Sequence, residues 1–209
     1  KRRIYHIYSK KAEIVETGKK SVALKAFLTS QTDPPPARIT LGQAVPKGKN
    51  MDLIIQKATE LGASRIIPLL SERTVVQVDG ADLEKKREKW QRVAIEACKQ
   101  CGQNWLPKVE TPLTVEQFVK KTATPFRLVA AISPTARNLK EILASWSEEN
   151  GSRPTEATLM VGPEGDFTPA EVSTAVGNGF ASLSLGPIIL RSETAAIYAL
   201  SVTGYELME

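Results

Sequence analysis

The sequence predicts an α/β protein in which helices cover both faces of a mostly parallel sheet, with a small β module before it. Short alternating apolar runs fill residues 1–27, a pattern typical of small hairpins. From Ile39 onward strand-like and helical patterns alternate, as they do in βα units. Pro34, Pro35 and Pro36 break any ladder between the two regions. We therefore predict a β module over 1–38 and an α/β domain over 39–209.

Glycines mark the ends of the first two helices of the α/β domain. Gly62 and Gly102 each follow a helical pattern directly, the position that favours a glycine C-cap. The elements expected here are strand 39–45, helix 52–61, strand 65–70, a strand-like extension over 74–78, and helix 83–101.

Capping residues locate two helices in the second half of the domain. Thr114 and Gln117 have the spacing of a capping box. Thr168, Pro169 and Glu171 combine an N-cap residue, a first-turn proline and a carboxylate at the third helical position. The elements expected are strand 106–109, helix 115–121, strand 127–132, helix 139–146, strand 158–161, helix 169–176, strand 181–185 and a closing helix from 194 to about 207.

The composition indicates a globular chain with an excess of positive charge. Of its 209 residues, 42% are hydrophobic, and the formal net charge is +5. No stretch approaches the roughly 18 apolar residues of a spanning helix, and the apolar run after Lys1–Arg3 is too short for a secretory signal. We expect a cytosolic protein without membrane contact. The charge favours a polyanionic partner such as nucleic acid, and the alternative for any single cluster is ordinary solvated lysine.

The cysteine and histidine content gives little support for metal or histidine chemistry. Cys98 and Cys101 form a C-x-x-C pair that ends a predicted helix, and no second pair or histidine cluster completes a metal site. We expect both cysteines to serve packing, and no metal. His6 is the only histidine, which argues against a histidine-based hydrolase.

A glycine-marked loop, Gly162-Pro163-Glu164-Gly165-Asp166, joins a predicted strand to a predicted helix. Neither a dinucleotide fingerprint nor a phosphate-binding P-loop motif is present. Glycines let backbone N–H and C=O groups approach a ligand closely, and the two carboxylates favour a positive centre such as a sulfonium over a triphosphate. The alternative is a tight turn whose Glu164 side chain points to water.

A second loop, Leu185-Gly186-Pro187-Ile188-Ile189-Leu190, is too apolar for an ordinary surface loop, so we expect it to be buried. Arg191 and Glu193 follow it, just before a helix that begins with small residues. One interpretation places Arg191 at the mouth of a pocket, and the other pairs it with Glu193 as a salt bridge at the helix entry. Together the two loops predict a small-molecule site at the carboxyl edge of the sheet.

Other stretches of the chain belong to the same pattern. Four lie upstream of the two loops: Lys-Gly-Lys-Asn-Met-Asp at 47–52, Gln-Lys-Ala-Thr-Glu-Leu-Gly at 56–62, Ser-Glu-Arg at 71–73, and the helix over 90–102. The fifth is the second loop with the residues after it, Leu-Gly-Pro-Ile-Ile-Leu-Arg-Ser-Glu-Thr-Ala-Ala at 185–196. With Gly-Pro-Glu-Gly-Asp-Phe at 162–167, they resemble the RsmE family across about residues 39–208. Members of that family are SPOUT-class RNA methyltransferases that methylate N3 of a uridine in small-subunit (16S-type) ribosomal RNA.

The resemblance implies a deep C-terminal trefoil knot, S-adenosylmethionine (SAM) bound by the knotted loops, a homodimer, and an N-terminal module that is PUA-like. A ribosomal RNA or a 30S-type particle is the implied partner. Residues 1–38 are shorter than the family's N-terminal module, so we expect an abbreviated form of this RNA-binding module. Asp166 and Ser192 stand where glycine and threonine are more usual, a change that leaves the cofactor assignment intact.

The resemblance and the chemistry of methyl transfer together assign roles to individual residues. Loss of the uridine N3 proton develops negative charge, which Arg191 would stabilise, while Glu164 or Glu193 would accept the proton. Residues expected to bind the cofactor are Ile132, Gly162, Pro163, Glu164, Gly165, Leu185, Gly186, Ile188, Ile189 and Leu190. Residues expected to contact RNA are Arg2, Arg3, Lys10, Lys11, Lys47, Lys49 and Arg73.

Two other functions fit the same pattern. A ribose 2′-O-methyltransferase of the same superfamily would bind the same cofactor but yield a different modified nucleoside. A non-catalytic RNA-binding or ribosome assembly factor would keep the fold without turnover, and an empty loop pair would bind no cofactor.

Overall fold

The computed structural model describes residues 8–74 and 80–208. Its strands are β1 (Tyr8–Thr17), β2 (Val22–Gln31), β3 (Arg38–Ala44), β4 (Ala63–Leu70), β5 (Lys108–Val109), β6 (Leu113–Thr114), β7 (Phe126–Ala130), β8 (Glu156–Val161) and β9 (Ala181–Leu183). Its helices are α1 (Asn50–Glu60), α2 (Gly80–Cys101), α3 (Val115–Lys121), α4 (Leu139–Asn150), α5 (Pro169–Gly177) and α6 (Ser192–Met208).

The main sheet is parallel, as the alternating sequence pattern predicts. Its seven strands run in the order β5-β4-β3-β8-β7-β9, with β6 also paired to β4, and every pairing in it is parallel. Strands β4, β5 and β6 lie on one side of β3, and β7, β8 and β9 lie on the other side. The chain therefore builds the sheet outward from β3 in one direction and then in the opposite direction. Ligand sites in open parallel sheets form at the carboxyl ends of strands near such a reversal.

Helices cover both faces of the sheet and bury both sides of its central strands. On β8, Ala157, Leu159 and Val161 face the core shared with α1, α2, α4 and α6, while Met160 faces the core shared with α3 and α5. A strand buried on both faces reads as a continuous apolar run and not as an alternating one. The prediction of helices on both faces is therefore confirmed.

Gly42 shows how closely one of these layers packs against the sheet. A Cβ at this central position of β3 would lie 2.5 Å from the Phe118 ring of α3. Phe118 is fully buried and packs against Phe180. A glycine in the strand therefore makes room for the aromatic ring that anchors α3.

Both predicted capping boxes are present. The Thr114 hydroxyl accepts from the Gln117 N–H and the Gln117 side chain accepts from the Thr114 N–H, and Thr168 and Glu171 do the same at α5. Gly62 and Gly102 take the positive φ expected of helix-terminating glycines, at 80° and 72°. Local hydrogen bonding at these helix ends is thus readable from residue type and spacing.

Other boundaries differ from the predicted ones by a few residues. Helix α2 begins at Gly80, α4 continues to Asn150, and α6 begins at Ser192. The strand predicted over 127–132 ends at Ala130, and the short strand β6 was not predicted. Thr74 lies outside any strand, and the remainder of the predicted 74–78 extension lies outside the described residues.

The N-terminal strands form an antiparallel hairpin, as the sequence predicts. In it Ile14 pairs with Leu24 and Thr17 pairs with Val22, and the side chains of residues 12–27 are exposed. The connection to the domain is held at its base, where the Trp105 indole N–H donates to the Asp33 carbonyl at 2.9 Å. The loop after α2 thereby anchors the segment that links the hairpin to β3.

Candidate functional site

Three segments that follow β7, β8 and β9 enclose a cavity of about 220 Å³ at the carboxyl edge of the sheet. The predicted loops supply two of its walls. Strand β7 lies between β8 and β9, so the loops do not follow neighbouring strands, and residues 130–133 complete the site between them. Residues that line the cavity are 130–133, Ala136, 161–164, Asp166, 183–190, Ser192 and Ala195.

The residues predicted to bind a cofactor line this cavity, with one exception. Gly165 is absent from the lining, and its carbonyl accepts a hydrogen bond from the Arg73 guanidinium. Arg73, predicted to contact RNA, therefore also holds the back of the first loop. The placement of the other predicted residues follows from their positions directly after parallel strands, which end at the same edge.

The second loop is not buried as its composition suggested. Ile188 and Ile189 are 75% and 79% exposed, and Ile132 across the cavity is 72% exposed. These side chains line the cavity without being covered by the rest of the described chain. Exposed apolar side chains of this size around a concave site mark a surface that a ligand or a partner covers.

The first loop is a tight turn with no space for a side chain at Gly162. A Cβ there would lie 2.9 Å from Asp166 Oδ1 and 3.1 Å from the Phe167 nitrogen. The Asp166 N–H donates to the Pro163 carbonyl at 3.0 Å, which closes the turn. Glycine at 162 thus lets the end of β8 pass directly beneath the Asp166 side chain.

A buried polar network under the cavity ties β3 to both loops. Gln43, fully buried at the end of β3, donates through Nε2 to the Ser192 hydroxyl at 3.0 Å and to the Ala44 carbonyl at 2.8 Å. Ser192 in turn donates to the Gly162 carbonyl at 2.6 Å. The orientation of the first loop and the start of α6 are therefore set by one side chain from the sheet.

The two carboxylates predicted to act as proton acceptors are both held by the segment after β3. Glu164 Oε1 accepts from the Lys47 backbone N–H at 2.9 Å, and Glu193 Oε2 accepts from the Asn50 amide at 3.4 Å. Glu164 lines the cavity and Glu193 does not. Of the two, Glu164 is the carboxylate that can reach a ligand inside the cavity.

Arg191 lies at the edge of the cavity, between the lining residues Leu190 and Ser192. It is exposed, and no hydrogen bond or ion pair of its guanidinium joins it to the residues that the structure describes. The alternative salt bridge with Glu193 does not form, because Glu193 is turned toward Asn50. The Arg191 guanidinium therefore stays available to an anionic group at the mouth of the cavity.

Charge is divided between the interior of the cavity and its surroundings. Its lining residues include the carboxylates of Glu164 and Asp166 and no lysine, arginine or histidine. Lys47 and Lys49 lie exposed on the adjoining segment after β3. Such an arrangement suits a cationic small molecule inside and a polyanion outside.

Other predicted RNA contacts fall in the N-terminal region. Lys10 and Lys11 belong to strand β1. Arg2 and Arg3 lie outside the described residues, as does His6.

The cysteine pair lies at the end of α2, away from the cavity. Cys98 is buried and Cys101 is exposed, and neither forms a disulfide. Burial, with the neighbouring Cys101 as a smaller cause, raises the pKa of the Cys98 thiol to about 11. Within 8–74 and 80–208, no group of three or more metal-ligating side chains comes together, and no helix is long and apolar enough to cross a membrane.

Sequence reasoning missed the residues that position the site. Gln43 and Asn50 were given no role, and Asp166 was expected to supply charge but not to join two walls, although each fixes a part of the cavity wall. A glutamine inside an otherwise apolar strand is a signal that could have indicated Gln43, since a buried amide requires partners. Nothing in the local sequence identifies those partners.

Comparison with known proteins agrees with this geometry. Residues 33–204 match the model of the RNA methyltransferase domain family. Ribosomal RNA small subunit methyltransferase E of Synechocystis sp. is 42% identical over 166 residues, which cover 79% of this chain and 52% of that protein. Its namesake from Bacillus subtilis is 33% identical over 202 residues, covering 95% of this chain and 78% of the relative. The chain thus spans about half the length of the first relative and over three quarters of the second.

Solved structures show the same fold with a ligand. A Legionella pneumophila methyltransferase in complex with SAM superposes with a TM-score of 0.85 at 34% identity, covering 94% of this chain and 78% of that one. Ribosomal RNA small subunit methyltransferase E of Neisseria gonorrhoeae, bound to SAM, superposes with a TM-score of 0.82 at 30% identity, covering 95% and 79%.

Proposed function

Because this chain belongs to the RNA methyltransferase domain family, and within it to the ribosomal RNA small subunit methyltransferase E proteins, we propose that it methylates N3 of a uridine in small-subunit ribosomal RNA with SAM. The observation that carries the proposal is the cavity, where three strand-end loops enclose two carboxylates and no basic side chain. Because the proposed substrate is ribosomal, we also propose a cytoplasmic location.

The cavity fits the parts of SAM. Apolar walls from Val161, Leu183 and Leu185 suit an adenosine ring, and the glycine-marked backbone offers N–H and C=O groups to its polar edges. At about 220 Å³ the enclosed volume is below the roughly 300–1,000 Å³ of typical ligand pockets. Part of the ligand would therefore lie at the mouth, against Ile188 and Ile189.

The protein residues act on the uridine. Bound SAM supplies an electrophilic methyl group on a sulfonium. Glu164, which lines the cavity and is oriented by the Lys47 N–H, accepts the uridine N3 proton directly or through water. Arg191 stabilises the negative charge that develops across O2, N3 and O4 of the base. Glu193, held by Asn50 outside the cavity lining, supports the start of α6.

RNA would approach over the cationic surface around the cavity and along the N-terminal hairpin, which we propose to be a PUA-like module. Lys47, Lys49 and Arg191 are exposed next to the cavity mouth, so phosphate contacts there would add affinity that falls with salt. Replacing Lys47 and Lys49 with Gln should lower the slope of log affinity against log salt by about one each. A slope unchanged in the double variant would contradict this docking.

The family resemblance also implies a trefoil knot and a homodimer, and both remain part of the proposal. Support for the knot comes from residues 184–191, which leave β9 at the sheet edge and lead to α6 packed against β3 and β8. Beside this path, the backbone of Arg137, which lies between β7 and α4, pairs with β9. Support for a dimer comes from Tyr198 and Tyr205 on α6, which are 46% and 66% exposed. Sedimentation equilibrium would test the dimer, and tracing of this crossing in a crystal structure would test the knot.

Methyl transfer from labelled SAM to small-subunit particles that lack the modification tests the reaction. We expect the label in 3-methyluridine after nuclease digestion and mass spectrometry of the nucleosides, and no transfer by an Arg191→Ala variant. Label in a 2′-O-methylated nucleoside would indicate the ribose methyltransferase. Absence of SAM binding by calorimetry would indicate a non-catalytic RNA-binding factor.

A further inference from the structure

Asp166 is the one residue other than glycine with a positive φ, at 59°, among those that the structure describes. A left-handed backbone is unfavourable for an ordinary L-residue, and aspartate tolerates it better than most because its side chain bonds locally. Strained residues that persist in a folded protein cluster at ligand sites. Asp166 therefore needs an explanation beyond the closing of a turn.

The Asp166 carboxylate joins two walls of the cavity. Oδ1 accepts from the Phe167 N–H at 2.7 Å, within the first loop, and Oδ2 accepts from the Ile132 N–H at 3.1 Å, on the segment after β7. The side chain also lines the cavity. A single carboxylate thus fixes the spacing of the two segments and presents its charge to whatever lies between them.

The interior of the cavity carries two negative charges, from Asp166 and Glu164, without a basic lining residue to offset them. At neutral pH, SAM carries a sulfonium, an ammonium and a carboxylate, so its net charge is positive. The product S-adenosylhomocysteine (SAH) has lost the sulfonium charge and is neutral overall. An anionic cavity distinguishes these two ligands although their shapes are almost the same.

We propose that Asp166 is a specificity-determining residue whose charge makes the cavity prefer cationic SAM to neutral SAH, and so promotes product release. This inference rests on the proposed function and assigns one part of it to one carboxylate. Charge and geometry are separable at this position. Asparagine accepts the same left-handed backbone and removes the charge, but its single amide oxygen can accept from only one of the two N–H groups. Glycine keeps the backbone and loses both bonds. Loss of a bond between the walls should weaken SAM and SAH alike, whereas loss of the charge should weaken SAM alone.

Calorimetry with SAM, SAH and 5′-methylthioadenosine tests the proposal on the wild type, Asp166→Asn and Asp166→Gly. Methylthioadenosine carries neither the sulfonium nor the amino-acid charges, so it measures the shape of the nucleoside pocket. Glu148→Gln removes one exposed carboxylate on α4 and is the matched control for net charge.

In Asp166→Asn we expect the affinity ratio of SAM to SAH to fall between about threefold and tenfold. The affinity ratio of SAH to methylthioadenosine should stay within about twofold of wild type, as should the affinity of every ligand in Glu148→Gln. In Asp166→Gly, which also loses the clamp, all three ligands should bind more weakly. Equal weakening of SAM and SAH in Asp166→Asn, or no change in either, would overturn the role of the charge. Wild-type protein that binds none of the three would overturn the proposed function itself.

Discussion

Replacing Gly162 with alanine should damage the cavity by a steric route that can be worked out from the structure. The new Cβ would lie 2.9 Å from Asp166 Oδ1 and 3.1 Å from the Phe167 nitrogen, where ordinary contacts begin at 3.4 Å. Asp166 would have to move by about 0.5 Å in a densely packed turn. That movement would stretch its 3.1 Å bond from the Ile132 N–H to about 3.6 Å, beyond hydrogen-bonding distance.

The expected cost combines overpacking with the loss of one hydrogen bond to a carboxylate. We expect the free energy of unfolding to fall by about 2–4 kcal/mol. For a chain of this size the melting temperature would then fall by roughly 5–12 °C. Thermal denaturation measures this loss, and calorimetry should show that SAM binding is weakened at least tenfold, since both cavity walls shift.

Gly177→Ala provides the matched control. Gly177 ends helix α5, and a Cβ there would meet nothing within 4 Å. Alanine should therefore be neutral or stabilise the helix by up to about 1 kcal/mol. A Gly162→Ala variant as stable as Gly177→Ala, with wild-type affinity for SAM, would refute the account of the first loop.

Three further predictions concern residues around the cavity and at the end of α2. Arg191→Ala should abolish methyl transfer while the dissociation constant for SAM stays within about twofold, and Arg191→Lys should recover part of the rate; parallel loss of binding and rate would reduce Arg191 to a structural role. Gln43→Leu removes the amide that donates to Ser192, so urea denaturation should show a loss of about 1–3 kcal/mol and calorimetry a weaker binding of SAM. An unchanged affinity would show that this network does not position the loops. With a pKa raised to about 11, Cys98 is still a thiol at pH 8, so alkylation at that pH should modify exposed Cys101 first. The stability that this raised pKa contributes should be lost as the pH rises from the ordinary pKa of a thiol toward 11. Modification of Cys98 at the same rate as Cys101 would contradict the burial.

The sequence identified the elements whose signals are local. Thr114 with Gln117 and Thr168 with Glu171 specify helix starts through hydrogen bonds within one turn, and both are present. The alternation of strand and helix patterns also predicted the parallel sheet. Boundaries such as the start of α6 at Ser192 depend on long-range packing, because Ser192 is fixed there by Gln43 and Gly162.

The residues that line the cavity could be predicted only in part. Loops that follow parallel strands end at one edge, so residues 162–164 and 185–190 could be placed together from the sequence. The position of β7 between β8 and β9 could not be predicted from the local sequence, because strand order depends on the packing of the whole sheet. The expected burial of Ile188 and Ile189 was wrong, since their apolar character serves the cavity lining and not the core.

Hydrogen exchange with mass spectrometry can show whether the segments after β7, β8 and β9 form one SAM site. Saturating SAM should slow amide exchange in residues 130–136, 161–167 and 183–192 together, with little change in the cavity between α3 and the sheet that includes Thr40 and Arg65. Protection confined to one of the three segments, or found only in that second cavity, would contradict the account.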